Sequence, residues 1–262
     1  MKSGVFETSW FFHMLEVAED TGVDEGRMTI WEHLEELRRR LLISIAVVVA
    51  GFVICWFFRE PLFNVVQAPF LQFVARGDKL SFISLTEPFL VYMKLSALAA
   101  LIFTSPVIIA QLWLFISPGL YKQEKRYALP FILFSSLFFL GGCVFAYYYV
   151  FPFACRFFLS LGGNFKQDVR VNDYFSLFSK MIVAVGLIFE TPMLAFFLSR
   201  LGIINHHFLI QKMKYAILII FALSAIITPT PDVVTQTLLA VPMLGLYVIS
   251  ILIAWIFGKK YE

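Results

Sequence analysis

FLVYMKLSALAALIFTSPVIIAQLWLFI, residues 89–116, holds one charged side chain, Lys94, in 28 positions. As a helix it rises about 1.5 Å per residue and reaches roughly 42 Å, more than the hydrocarbon core of about 30 Å demands. A soluble helix needs a polar stripe facing water, and this run has none. It reads as a membrane span, and it decides the fold class.

Five more apolar runs accompany it: Leu41–Phe58, Tyr127–Phe151, Phe175–Leu201, Tyr215–Ile227 and Val233–Phe257. Four of them approach or exceed the roughly 20 residues a crossing requires. Tyr215–Ile227 is short, about 20 Å as a helix. It reads either as a re-entrant half-span or as a span with the bilayer thinned around it. Both choices return the chain to the same side. The expectation is an all-α membrane protein of six transmembrane helices, the fifth short. Residues 28–262 form the membrane domain, and residues 1–27 form a polar, acidic extension with no assignable role.

Composition agrees with the spans. Of the 262 residues 60% are apolar and 15% charged, and the mean hydropathy is +0.82. A soluble domain of this size carries more polar surface. The net charge is +3, with the basic residues at span ends and not in one patch. Nucleic acid is therefore not an expected partner. Cys55, Cys143 and Cys155 are the three cysteines, two of them inside apolar runs, so no disulfide framework is expected. The patch Trp10–Leu15 is followed by Glu16, Glu19, Asp20, Asp24 and Glu25, unlike a cleavable signal peptide.

Lys and Arg set the sidedness. Arg27, Arg38–Arg40, Lys122, Lys125, Arg126, Arg200, Lys212, Lys214, Lys259 and Lys260 lie on one side. Arg59, Arg76, Lys79, Arg156, Lys166 and Arg170 lie on the other. The first set, twice the second, is cytoplasmic by the positive-inside rule, so both termini are expected in the cytoplasm. The outer segments 59–88 and 152–174 are too long for bare turns and are expected to hold short amphipathic helices. Phe89, Lys94, Leu101, Ile102, Phe103 and Pro106 recur 86 positions later as Phe175, Lys180, Leu187, Ile188, Phe189 and Pro192. A parallel duplication of spans two and four is one explanation. Shared apolar composition is another.

A few polar residues stand out. In Trp31-Glu32-His33-Leu34-Glu35-Glu36-Leu37-Arg38-Arg39-Arg40-Leu41, Leu34, Leu37 and Leu41 share one helical face. Glu35–Arg39 and Glu36–Arg40 are favourable i,i+4 pairs, so a solvated helix start accounts for the segment. The functional reading instead treats Glu36 and Glu124 as carboxylates aimed at a cationic ligand. A carboxylate grips a guanidinium by two parallel hydrogen bonds, and two separated carboxylates suit two adjacent arginines. Glu190 lies inside the fourth span before Thr191-Pro192. An ionisable group there costs at least about 2.5 kcal/mol on insertion scales, so it must face protein or water. It is read either as bonded to a neighbouring helix or as a functional site. Lys94 and Lys180 can snorkel outward and receive no role. Asp232 opens the last span as an N-cap candidate, with Gln236 one turn on.

Other chemistries lack their signatures. There is no GxxxxGK[ST] phosphate loop, no GxSxG or HExxH, and no His within a span. Neither an enzyme nor a bound cofactor is expected.

Taken together, the polar segments resemble the TatC family, the multi-spanning receptor component of the twin-arginine translocase. His33-Leu34-Glu35-Glu36-Leu37-Arg38-Arg39-Arg40-Leu41 resembles its opening HLxELRxRL signature. In order follow Ala68-Pro69, Ser105-Pro106-Val107-Ile108, Phe115 through Arg126, Phe145-Ala146-Tyr147, Phe189-Glu190-Thr191-Pro192 and Pro231-Asp232-Val233-Val234-Thr235-Gln236. The resemblance covers about Met28 to Phe257 and leaves out the first 27 residues. It implies a glove-like scaffold in the bacterial inner membrane that binds signal peptides with paired arginines. Folded precursors then cross with single-span partners of the TatA and TatB type, in homo- and hetero-oligomers, driven by the proton motive force. On this resemblance Glu36, Glu124, Arg38 and Phe115 serve signal-peptide binding, and Glu190 is the polar residue of the concave face. Asp232 and Gln236 lie where single-span partners dock, and Pro69 shapes the outer loop. The competing reading is a proton-coupled small-molecule transporter built on Glu190. It would not need Glu36 or Glu124.

Overall fold

A computed structural model describes residues 30–73, 80–116, 128–162, 168–228 and 232–258. The chain is helical. α1 covers Ile30–Phe57, α2 Arg59–Leu71, α3 Glu87–Ile116 and α4 Ala128–Phe145. A π turn at Ala146–Val150 carries α4 into α5, Phe151–Leu161. α6 (Val171–Phe189) and α7 (Thr191–Arg200) follow, then α8 (His206–Gln211), α9 (Met213–Ile227) and α10 (Val233–Phe257).

Five helical stretches are long and apolar enough to cross a membrane: Trp31–Phe57, Glu87–Ile116, Pro130–Leu161, Val171–Arg200 and Val233–Phe257. The sixth, α9, has 15 residues and a reach of about 22 Å. The short fifth segment is thus a helix two residues longer than the sequence suggested. Lys212 and Lys214 both lie over the Tyr215 ring at its start.

The third and fourth spans differ from expectation. The third does not stop at Phe151 but continues through Pro152 to Leu161. Proline at the first positions of a helix gives up an N–H that needs no partner there, so Pro152 starts α5 without breaking the rod. The fourth is two helices: α6 ends at Phe189 and α7 begins at Thr191, with Pro192 in its first turn. Pro106, at the matching place in the candidate repeat, leaves α3 unbroken. There the Ser105 hydroxyl donates to the Ile102 carbonyl at 2.7 Å, the acceptor that Pro106, lacking an N–H, cannot serve.

The core is concentrated at one end. Val66 and Phe70 of α2, Val91 and Leu95 of α3, Phe151 and Ala154 of α5, and Tyr174 through Val185 of α6 form the main buried cluster. α2 and α5 cap this end, matching the short helices expected in the outer segments. Ser81 and Arg170 add a parallel bridge. The Glu87 carboxylate accepts from the Ile83 and Asn172 backbone N–H groups at 3.1 and 3.2 Å, joining the starts of α3 and α6. At the other end Trp113, Phe131 and Met193 form a smaller cluster, and Ser199 of α7 is buried against Ala254 of α10. The three cysteines are buried and unpaired.

Candidate functional site

At the opposite end the start of α1 and the end of α3 form a rim. Glu36 and Arg40 lie one turn apart on α1, on the side facing α3. Arg40 Nε donates to Glu36 Oε1 at 2.7 Å, and Arg40 Nη2 approaches the same oxygen at 2.6 Å. Arg40 Nη1 reaches across to Gln111 Oε1 of α3 at 3.2 Å. One turn beyond Gln111, the Phe115 ring stacks on His33 with centroids 4.4 Å apart. Carboxylate, guanidinium, amide and paired rings therefore make one polar, aromatic edge between two helices. Such an edge suits a cationic peptide: the carboxylate supplies charge and the rings supply a face for its flanking atoms.

Arg38 is exposed and does not join this cluster. Glu35 and Arg39 also stay exposed, so of the two pairs expected on α1 the one that forms among the described residues is Glu36–Arg40. Leu34, Leu37 and Leu41 do line one face, and that face is exposed. Glu124 lies outside the described residues, as does the segment Pro118-Gly119.

Glu190 sits at the break between α6 and α7. The Ser135 hydroxyl of α4 donates to its Oε2 at 2.5 Å. Its Oε1 is buried and has no hydrogen-bond partner among the described residues. A buried acceptor left unmatched is costly, so this is a half-satisfied polar point within the membrane domain. Close packing of α4 on α6 brings it there. A Cβ on Gly142 would lie 2.8 Å from Phe189 Cβ and 3.0 Å from Gly186 Cα. Small residues that let backbones approach are a common device between membrane helices.

Asp232 caps α10. Its Oδ1 accepts from Thr235 N–H at 2.8 Å and its Oδ2 from the Thr235 hydroxyl. Gln236 donates from Nε2 to the Phe221 carbonyl of α9 at 2.8 Å. Asp232 thus fixes the start of α10, and Gln236 joins α10 to α9, the last span to the short one.

Pro69 lies inside α2, not in a loop. Lacking an N–H, it leaves the Val65 carbonyl without its helical donor. The Tyr147 hydroxyl donates to that oxygen at 2.8 Å. Tyr174 adds a second hydroxyl on the Val66 carbonyl at 2.6 Å. Tyr147 belongs to the π turn, a rare local geometry often found at functional sites. The proline thus exposes an acceptor by which the cap is tied to the third span.

Sequence reasoning overlooked Gln111 and Ser135, and named Tyr147 only within Phe145-Ala146-Tyr147 without a role. Gln111 left a signal, as the single amide in the apolar run 97–116. Ser135 left none, because Ser recurs throughout the spans, and the bond Tyr147 makes to α2 is not readable from its motif. Among the described residues no group of three or more His, Cys, Asp or Glu could hold a metal.

Comparison with known proteins gives concordant matches. Residues 32–242 match the family model described as Sec-independent protein translocase protein (TatC). The chain is 41% identical to the Sec-independent protein translocase protein TatC of Koribacter versatilis, over 89% of this chain and 87% of that one. It is 43% identical to the protein so named from Desulforapulum autotrophicum, over 91% and 88%. Among solved structures it resembles a crystal structure described as the twin arginine translocase receptor TatC, with a TM-score of 0.75 and 41% identity. That match covers 85% of this chain and 98% of the other.

Proposed function

The chain belongs to the TatC family of Sec-independent protein translocase proteins, and from that premise we propose that it is the receptor and core subunit of a twin-arginine translocase. It binds the paired arginines of signal peptides at the rim and starts the export of folded proteins, driven by the proton motive force. It is a multi-pass membrane protein that moves proteins and is not an enzyme. Its place is the bacterial inner membrane, with both termini in the cytoplasm and the rim where a signal peptide first arrives.

The observation that carries this reading is the Glu36 carboxylate. It is held between α1 and α3 beside the stacked His33 and Phe115 rings, and it already engages a guanidinium. Glu124 supplies the second carboxylate, so that two adjacent arginines each meet one. Arg38 borders the site from the exposed side of α1 and contacts the peptide backbone or its flanking acids. Single-span subunits of the TatA and TatB type dock where Asp232 caps α10 and Gln236 ties it to α9. The short α9 suits such a seat, because the bilayer thins beside it and a neighbouring helix relieves the mismatch.

The transporter reading built on Glu190 gains no support, because the matching family is a protein translocase component. Glu190 is instead a polar point facing the membrane interior of the scaffold.

Affinity of a twin-arginine peptide for the purified chain tests the proposal. Glu36→Gln and Glu124→Gln are each expected to weaken binding about tenfold or more, the scale for a charge-assisted bidentate pair of about 1.5–3 kcal/mol. Insertion into the membrane should be unchanged. Wild-type affinity in the double variant would sink the assignment.

A further inference from the structure

The carboxylate assigned to a signal's arginine already holds an arginine of the chain itself. Both Arg40 contacts, at 2.7 and 2.6 Å, end on Glu36 Oε1. Among the described residues Glu36 Oε2 has no partner. The pair is sheltered, with 21% of the Arg40 side chain and 17% of the Glu36 side chain exposed. The third nitrogen of the guanidinium is moored on Gln111 of α3, the helix that also supplies Phe115. Arg40 is therefore held from two helices, with its fork on the atom an incoming guanidinium needs.

We propose that Arg40 is an internal stand-in for the signal's arginine, occupying Glu36 until a second guanidinium displaces it, and so setting the preference of the site for arginine over lysine. The inference rests on the receptor reading of Glu36. A guanidinium is a planar fork that can span both carboxylate oxygens with two parallel N–H bonds. On arrival it replaces the two contacts Arg40 makes to one oxygen and gains the vacant one. Lysine brings a compact point charge without a fork. It can take Oε2 alone, but there it meets the like charge of Arg40 a few ångströms away. Displaced Arg40 is not stranded, because Gln111 remains an acceptor for it. A plain helix-stabilising i,i+4 pair explains neither the mooring across to α3 nor the use of a single oxygen.

The test uses the full chain in lipid nanodiscs and two labelled peptides that differ only in an Arg-Arg or Lys-Lys pair. Arg40→Gln should bind the arginine peptide about two- to fivefold tighter, the range for losing a partly screened competing pair. It should gain more for the lysine peptide, so the arginine-to-lysine ratio falls. Arg40→Lys keeps the charge that opposes a lysine but lacks the fork, so its ratio should lie between those of wild type and Arg40→Gln. Unchanged ratios in both variants, or weaker arginine binding in Arg40→Gln, would overturn the proposal and leave Arg40 as a support for Glu36. Glu36→Gln separates the two claims. If it binds the arginine peptide like wild type, the receptor reading of Glu36 fails. If it loses binding while the Arg40 variants keep the wild-type ratio, only the stand-in fails.

Discussion

Replacing Gly142 by alanine tests the packing that delivers Glu190 to Ser135. A Cβ at Gly142 would stand 2.8 Å from both Cβ and Cγ of Phe189, and 3.0 Å from Gly186 Cα. Carbon atoms in contact prefer about 3.5–4.0 Å, so the new methyl is roughly 0.5–1 Å too close to three atoms. Rotating the Phe189 ring does not help, because its Cβ and the Gly186 Cα move only with the backbone. α4 and α6 must part instead. Overpacking of this kind costs about 1–3 kcal/mol. The parting also pulls on the Ser135–Glu190 bond, since Glu190 follows Phe189 directly and Ser135 lies two turns from Gly142 on α4. Gly141 is the internal control: a Cβ there meets nothing within 4 Å, so Gly141→Ala should stay within about 0.5 kcal/mol of wild type. Thermal unfolding of the purified chain in detergent reads both variants, with export of a twin-arginine precursor scored in parallel. Gly142→Ala should unfold several degrees below Gly141→Ala. Equal midpoints would refute the close-packing argument.

Other expectations rest on individual bonds. Glu190→Gln keeps an acceptor for Ser135 and should retain much of the export activity, whereas Glu190→Leu should lose it; normal export by the Leu variant would make Glu190 purely structural. Tyr147→Phe removes the donor to the Val65 carbonyl and should cost about 0.5–1.5 kcal/mol, the net worth of a hydrogen bond at an exposed position. Pro69→Ala restores the missing N–H, so a double-mutant cycle in the same unfolding assay should show Tyr147→Phe to be less harmful in the Pro69→Ala background; simple additivity would contradict the bond account. Asp232→Ala removes the cap on α10 at about 0.5–2 kcal/mol, while Asp232→Asn, an equally good cap, should keep stability. If Asp232→Asn nonetheless loses co-purification of single-span subunits, the carboxylate charge serves docking, and retention by both variants would remove Asp232 from that surface.

Much of this was legible because membranes restrict what a sequence can do. Every backbone polar group within the bilayer must be satisfied internally, so a long apolar run becomes a helix. That is why the limits of α3 and α10 were readable to within two residues. Two of the departures involve proline. Pro152 begins α5, which carries the third span on into the expected outer segment; Pro69 of the outer segment lies inside one of its helices. In each case the outcome depends on where the neighbouring carbonyl finds a donor. For Pro69 that donor is Tyr147, 78 residues away. The break at Glu190 and the continuity at Pro106 show the same dependence: the Ser105 hydroxyl serves the Ile102 carbonyl within an unbroken α3, whereas the Ile188 carbonyl accepts from the Glu190 N–H where α6 ends. At the rim, the Glu36–Arg40 pair was readable from i,i+4 spacing alone. Its mooring on Gln111 was not, because the register of α1 against α3 comes from packing along the whole length of both helices.

Photo-crosslinking from the signal itself tests the central claim most directly. A precursor carrying a photoreactive residue next to its arginine pair would be presented to native membranes containing this chain, and the crosslinked positions mapped. The account predicts crosslinks at the rim, on α1 around Glu36 and on α3 around Phe115, that vanish in the Glu36→Gln, Glu124→Gln double variant. Crosslinks that persist in that variant, or that map to the capped end or to the vicinity of Glu190, would contradict it.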